Sequence, residues 1–453
     1  MAKLPLEGVR VIAIEDKLAL PWGTKMLADL GAEVIVVESH KRENDRIRGG
    51  GMILYPDNKP EGKFWNQSSP YFSFYRNKMD LTLDLTKPEA IEIFKELIKI
   101  SDVVAQNFRP GAMKRRGLDY ESLKKIKPDL IYLSSSGYGE EGPWQGYAAF
   151  ARTVDGMAGL SDMCGYVDGE PVIANPSYID TSTAWSNALA ILMALHYRQR
   201  TGKGQHIDNS MYEVGVTCIG EALMDYQMNG RMPTRQGNRH TSWAPHGCYR
   251  CQGDDKWVTI AVRSDEEWEK MVQAMGSPEW AKDSKYADSP GRWENQDELD
   301  KNINQWTENK EYYEVMRLLQ GVGIPAGPVL DSKGLLLDPH LKEREFFPRF
   351  KGSTDMQEAG VGALPALASP FKLSRTPSSL RFLAGLGEHN EYILGELLGK
   401  SEAEIAKLYE DDVIGKRPDI PEGWSPEPIP LDALKKIGSI RDYDVNYKEI
   451  LGI

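Results

Sequence analysis

Runs of β-branched apolar residues alternate with helix-forming stretches over residues 9–134, and this alternation limits the fold more than any other feature. Val9–Glu15 reads as a strand. Pro21 suits the first turn of a helix running to Leu30, and Gly31 suits the position just past its end. Val34–Glu38 is a second strand and closes a βαβ unit. Leu81–Leu85 alternates as a strand, and Thr86 and Glu89 have capping-box spacing for a helix over Ala90–Lys99. Asp102–Phe108 and Leu130–Ser134 read as further strands, with helical pieces around Met113 and over Glu121–Ile126. Strands alternating with helices predict an α/β fold with a parallel, doubly wound sheet.

Between Glu43 and Arg76 the alternation breaks. This segment carries Gly49–Gly51 and a dense aromatic set: Phe64, Trp65, Tyr71, Phe72, Phe74 and Tyr75. Long structured loops often carry function; the alternative is a packed surface excursion. After Gln205 a short strand precedes a helix over Met211–Asn229. Pro245–Val262 reads as a β-hairpin turning at Gly253-Asp254-Asp255, and helices rich in Trp and Glu follow to Gly321. Together they predict a smaller α/β domain. Ile324–Asp331, rich in Pro and Gly, marks a return, and Ser401 and Glu404 have capping-box spacing for a helix to Tyr409.

A chain of 453 residues buries a large core and divides into more than one domain. The net charge of -12 argues against nucleic acid or an anionic membrane as the main partner, so an anionic ligand needs a local basic patch. The longest apolar run, Ala188–Leu195, falls far short of the ~20 residues that span a bilayer. The start, Met-Ala-Lys-Leu-Pro, has no signal-peptide apolar region, and four cysteines make no disulfide framework. These features predict a cytoplasmic protein with reduced thiols.

Several motifs fail on inspection. Glu38 sits where an acidic residue would hold a ribose, but the turn Asp16–Trp22 lacks the glycines a dinucleotide's pyrophosphate requires. Thr201–Gln205 lacks Walker A spacing and reads as a helix C-cap with Gly202 and Gly204 in turn conformations. Cys248 and Cys251, with His240 and His246 upstream, lack a second pair and lie on a predicted strand, so no metal is expected. No G-x-S-x-G or H-E-x-x-H is present.

Other segments place chemistry at strand ends. Ser134–Gly139 follows a strand and offers hydroxyls and backbone amides at the edge where open α/β sheets bind ligands. Asn107–Gly111 ends another, where Arg109 can contact a phosphate, and Lys78 offers a cation just before the Leu81 strand. Asp180 ends Pro176–Asp180, at the mouth of an apolar helical run over Ala184–Tyr197. A basic, glycine-bearing turn, Arg198–Gln205, closes that helix.

Taken in order, these segments resemble the class III CoA-transferases, the CaiB/BaiF family. The resemblance rests on Leu6–Ile12, Leu27–Ile35, Asn77-Lys78 with Leu81–Leu85, Asn107–Gly111, and Ser136–Gly139 with Gly142-Pro143. It continues through Arg198–Gln205, Gly323–Val329, Thr376-Pro377, and Gly387–His389 with Leu397–Gly399. It implies a Rossmann-like large domain built from residues 1–210 and 331–453, a linker helix over 211–235 and a small domain over 236–330. It also implies two chains interlocked as rings, as a homodimer or a hetero-oligomer with a related subunit. Asp180 would be the nucleophile that attacks an acyl-CoA thioester. Coenzyme A would be held near Ala19, Leu20, Trp22, Lys78, Arg109, Ser136, Gly137 and Tyr138, a carboxylic acid would accept it, and no metal would be needed.

The chain departs from the family at three places. Many members carry Arg or Pro after the Glu that ends the second strand; here it is Ser39, with Lys41, Arg42 or Arg46 as replacements for the charge. The glycine run of the formyl-CoA transferases is replaced by Gly237–Trp243, which argues against oxalate and formyl substrates. Racemases of the same fold use a His in a Gly-His-Asp segment; here Phe150 takes the His place and Ala151 the Asp place, and a phenyl ring moves no proton. The aromatic loop points to a bulky, aryl-bearing carboxylic acid as substrate, and the resemblance to the benzylsuccinate transferases of that family implies succinyl-CoA as donor. The alternatives are a racemase-like enzyme and a catalytically silent CoA-binding partner subunit.

Overall fold

The computed structural model describes residues 4–41, 55–173, 178–350, 364–378 and 380–453. Arg42, Arg46, Gly49–Gly51 and Pro176-Ser177 lie outside the described residues. Two compact units are present. The first takes Met1–Ala158, Asn175–Gly220 and Pro339–Ile453; the second takes Gly159–Ala174 and Glu221–Asp338.

In the first unit the elements run β1 (Arg10–Ile14), α1 (Ala19–Asp29), β2 (Glu33–Glu38), α2 (Ser69–Phe74), β3 (Lys78–Thr82), α3 (Pro88–Lys99), β4 (Val103–Gln106), β5 (Ile131–Ser136), α4 (Ala151–Met157), α5 (Tyr178–Thr201), β6 (Gln205–Ser210) and α6 (Met211–Thr217). The six strands form one sheet in the order β3-β2-β1-β4-β5-β6, with every neighbouring pair parallel. Successive strand residues face opposite sides. Val11 and Ala13 therefore join the core beneath α1 and α5, whereas Ile12 and Ile14 join the core beneath α3. Helices on both faces explain why these strands read as near-continuous apolar runs.

Strand β3 begins three residues before the sequence places it. Its register runs from Val34 opposite Lys78 to Glu38 opposite Thr82. Lys78 and Asp80 hide the strand, because both are charged yet at most 1% exposed. Thr86 and Glu89 do not form the expected capping box. Pro88 takes the first helical position, so Lys87 becomes the cap residue, while Asp84 Oδ1 accepts from the Thr86 hydroxyl at 2.7 Å and from its amide at 3.1 Å. At the C-terminal helix Glu402–Glu410 the expected box does form: Ser401 N donates to Glu404 Oε2 at 2.8 Å, and Glu404 N donates to Ser401 Oγ at 3.3 Å. The single helix expected over Met211–Asn229 is two, Met211–Thr217 and Gly220–Asn229.

C-terminal residues close the exposed edge of β3. Thr82 N donates to Asn390 Oδ1 at 2.9 Å, Arg381 N to Asn77 Oδ1 at 2.7 Å, and Asp84 N to Val413 O at 2.9 Å. A covered edge cannot template pairing with another chain. The aromatic excursion is largely packing. Tyr55, Phe64 and Trp65 form a small core with Leu386 and Ile420, Phe64 meets Trp424 at 5.7 Å, and Tyr71 stacks on Tyr75 at 4.7 Å inside the main core.

Helix α5 runs six residues further toward the N-terminus than its apolar run suggests, and Gly202 closes it with φ +71°. Gly204 has a different role: a Cβ there would stand 2.1 Å from Leu130 O, so only glycine lets the entry to β6 pass β5. Helices α1 and α5 touch at Gly23, where a Cβ would lie 2.9 Å from Ala184 O.

The second unit has its own sheet, β7 (His246–Arg250), β8 (Trp257–Ala261) and β9 (Ala326–Pro328), with antiparallel neighbours. The β7–β8 turn uses left-handed Gly253 and Asp255. Its core includes Tyr249, Trp268, Met271, Leu299 and Ile303. Arg292 is fully buried there and donates to Ala244 O, Tyr286 O and Asp265.

Candidate active site

The C-terminal end of β1 carries a buried charge network. The Glu15 carboxylate pairs with Lys78 Nζ and accepts from Thr24 Oγ1 at 2.6 Å, tying β1 to both β3 and α1. Lys78 Nζ also donates to Pro21 O at 2.8 Å and lies over the Tyr75 ring. Burial pulls the Lys78 pKa down, and Glu15 opposes that shift. The sequence places Lys78 at a ligand-facing strand end. Here it begins β3, 1% exposed and enclosed by these partners, so it offers no face to a phosphate.

A cavity of about 320 Å³ opens at the C-terminal ends of β1, β2 and β4. The sheet order reverses between β1 and β4, and open α/β sheets take their ligands at such a switch point. Asn107 pins this crevice: its Nδ2 donates to Asp16 O at 2.7 Å, and Asp16 N donates back to its Oδ1 at 3.0 Å. Two cations line the cavity, Lys41 and Arg116. Lys41 pairs with Asp412 and lies 3.5 Å from Asp419. Of the three replacements considered for the charge lost at Ser39, Lys41 is the one among the described residues. Arg109 is exposed on the turn after β4 and does not line the cavity.

Asp180 sits half-buried in the first turn of α5. The positive end of a helix stabilises a carboxylate placed there. Ala19 and Leu20 are buried in the first turn of α1, and Trp22 stands one residue before the Gly23 contact with α5. Asn209 holds α5 to β6: its Nδ2 donates to Asn187 Oδ1 at 2.6 Å, and its Oδ1 accepts from Ser186 Oγ at 3.1 Å.

Ser136, Gly137 and Tyr138 lie at the end of β5. Ser136 Oγ is buried without a hydrogen-bond partner among the described residues. A Cβ on Gly137 would fall 2.1 Å from Ala149 Cβ, so glycine is obligatory there. Tyr138 packs against Trp144, Tyr147 and Tyr212. Phe150, at the racemase His place, is exposed and caps α4. Cys248 and Cys251 are free thiols, and among the described residues no group of three or more His, Cys, Asp or Glu could hold a metal ion. No described helix is long and apolar enough to cross a membrane.

Sequence reasoning missed three residues. Arg116 was legible only as part of the basic run Lys114–Arg116. Gly23 carried no signal apart from its place in a helix. Asp155 is 1% exposed on α4, where burial pushes its pKa up against the Ile179 backbone amide, and nothing in its sequence neighbourhood announces it.

The CoA-transferase family III model matches residues 6–390. The chain is 34% identical over 414 residues to the succinyl-CoA–L-malate CoA-transferase beta subunit of Chloroflexus aurantiacus, covering 91% of this chain and 98% of that one. The alpha subunit from the same organism is 31% identical over 414 residues, covering 91% and 93%. The succinyl-CoA:mesaconate CoA-transferase of Haloarcula hispanica is 34% identical over 398 residues, covering 86% and 96%. Among solved structures, a CaiB/BaiF family protein from Brucella suis superposes with a TM-score of 0.77 at 31% identity, covering 87% of this chain and 100% of that one.

Lys25 provides a pH test of this architecture. It lies on α1 over the Trp22 ring, 3% exposed, and its pKa is lowered to about 7, first by burial and then by Arg76, against the pull of Asp29. Because the folded pKa lies below the unfolded one, the unfolded chain holds the extra proton between about pH 7 and 10.5, and this term makes stability rise with pH across that window. Lys25→Met should therefore stabilise the protein at pH 7 by up to about 4 kcal/mol. The gain should shrink toward pH 10.5, as read from urea unfolding midpoints. A gain independent of pH would show that the amine is not the source.

Proposed function

The chain belongs to CoA-transferase family III, and from that premise we propose that it moves CoA from succinyl-CoA to a short dicarboxylic acid through a thioester on Asp180. The observation that carries this reading is the place of Asp180: a half-buried carboxylate in the first turn of a 24-residue helix that packs against the start of α1. The donor and acceptor classes are carried over from the relatives, whose names pair succinyl-CoA with L-malate and with mesaconate. The rings Phe64, Trp65, Tyr71 and Tyr75 are occupied in packing, so an aryl-bearing acceptor draws no support from them.

In the proposed reaction Asp180 attacks the thioester carbonyl of the donor. The C–S bond breaks, CoA leaves as thiolate, and a mixed anhydride forms on Asp180. The thiolate then attacks the aspartyl carbonyl and expels the donor acid, leaving an aspartyl-CoA thioester. The acceptor carboxylate attacks that thioester, and the released thiolate takes the acceptor's acyl group from the new anhydride, restoring the Asp180 carboxylate. Covalent exchange conserves the thioester's free energy instead of losing it to water. Backbone amides near Gly137 or Gly139 serve as donors to the oxyanions. The cavity at the β1/β4 switch point takes the nucleotide end of CoA, with Arg116 and Lys41 as its cations despite the net charge of -12.

A second chain completes the proposed assembly. Trp185, Leu189, Met193 and Tyr197 recur every fourth residue on α5 and are 41–64% exposed, an apolar stripe that a monomer leaves in water. The partner is a second copy or a related chain, as the alpha and beta subunits of the Chloroflexus enzyme suggest.

Transfer should be detected by mass spectrometry when the protein meets succinyl-CoA and a set of C4–C6 dicarboxylates, and Asp180→Ala should abolish it while the fold survives. Near-native turnover in that variant would remove Asp180 from the mechanism. Arg116→Ala should weaken CoA binding about ten- to a hundredfold, whereas binding like the parent's would move the nucleotide site elsewhere. Mass photometry at nanomolar concentration should find a dimer, with itself or with a co-expressed related chain; a folded monomer would refute the assembly.

A further inference from the structure

One cation of the switch-point cavity is already engaged by a distant part of the chain. Lys41 lines the cavity beyond the end of β2, but its Nζ pairs with Asp412 and stands 3.5 Å from a second carboxylate, Asp419. The other cation among the described residues lining the cavity is Arg116, beside the carboxylates of Glu15, Asp16, Glu38 and Asp84. A phosphate entering here therefore meets Lys41 with its charge already balanced.

Asp412 is the fixed member of the pair. Its other oxygen, Oδ1, lies 2.9 Å from Nε2 of the buried His40. The backbone is bonded on both sides of it. Asp412 N donates to Tyr409 O at 3.0 Å and Asp84 N to Val413 O at 2.9 Å. The Thr82 hydroxyl donates to Gly415 O at 2.7 Å and accepts from Gly415 N at 3.0 Å. Asp419 N then closes the strap on His40 O at 2.8 Å. The Lys41 side chain is 33% exposed on a long, flexible stem, so when the pair parts the amine moves and the carboxylate stays. Asp412 has φ +56°, a conformation that glycine adopts freely and that Asn and Asp tolerate. Backbone preference alone would favour glycine; what the side chain adds is its hold on Lys41 and His40.

We propose that Asp412 sets the affinity for CoA by competing with a phosphate of the nucleotide end for Lys41. This rests on the reading of the switch-point cavity as the nucleotide site. The pair has to open for the amine to reach the phosphate, and Asp412 then keeps His40 as its partner. An ion pair this exposed is weak enough to be exchanged. Its loss is set against the new contact, so CoA is held less tightly than a free lysine would hold it, and acyl-CoA product leaves faster.

The test is a double-mutant cycle of Lys41→Met and Asp412→Asn, read as CoA affinity by titration calorimetry. Asn suits the left-handed backbone; Asp412→Gly, which suits it better, takes its place if the Asn variant fails to fold. With Lys41 present, Asp412→Asn should tighten CoA binding about two- to fivefold and slow CoA release in stopped flow. In Lys41→Met the same substitution should leave affinity where Lys41→Met alone puts it. Simple repulsion between Asp412 and the ligand would tighten both backgrounds equally, and a purely structural role would shift both equally along with the melting temperature. Either result overturns the proposal, as does weaker binding with Lys41 present. Two shortened ligands identify the phosphate. A gain kept with 3′-dephospho-CoA puts Lys41 on the pyrophosphate, and a gain lost puts it on the 3′-phosphate; a gain with pantetheine, which has no phosphate, overturns the proposal. Arg116→Ala separates the two readings. If it weakens CoA binding while the Asp412 variants bind like the parent, only the role of Asp412 fails. If it too binds like the parent, the cavity is not the nucleotide site and both fail.

Discussion

The Glu15 carboxylate, buried between β1, α1 and β3, is the constraint on which the rest of the structure depends. It holds Lys78 and Thr24 at once. A buried pair of this kind contributes little net stability, because desolvation offsets the attraction, yet removing one partner costs about 3–5 kcal/mol. Its effect here is geometric. A second network clamps the other end of α1, where Arg76 bonds both oxygens of Asp29 and Asn77 Nδ2 donates to Asp29 Oδ1 at 2.7 Å. With α1 held at both ends, α5 rests on it through Gly23, and the position of Asp180 follows from that contact.

The same network explains what the sequence conceals. Periodicity placed β1, β2, β4 and β5 because both of their faces are apolar. It misplaced β3 because Lys78 and Asp80 interrupt the pattern, and their partners are distant in sequence: Glu15 for Lys78, and the Gly387 amide at 2.5 Å for Asp80. A charged residue at a strand start looks solvated until its partner is known. At the strand ends Asn107 ties the turn after β4 to Asp16, whereas Lys78 is enclosed by Glu15 and Pro21. Arg116 lies on a surface run of three cations, and only the fold selects the one that faces the cavity. The expectation for Asp180 comes from the ordered segments around it, since no local pattern marks a lone aspartate as a nucleophile.

Charge and apolar surface divide the work between regions. Two cations, Lys41 and Arg116, line the switch-point cavity beside the carboxylates of Glu15, Asp16, Glu38 and Asp84. Part of the aromatic excursion, which suggested a bulky acceptor, forms a small core shared with residues near the C-terminus. The apolar stripe on α5 lies on the same helix as Asp180.

The central claim is that Asp180 carries CoA as a thioester during turnover. Incubation with succinyl-CoA and hydroxylamine, followed by mass analysis of the peptide containing Asp180, tests this most directly. The account predicts inactivation that requires both reagents and a hydroxamate at Asp180 alone. An active enzyme whose Asp180 peptide stays unmodified under those conditions would contradict it.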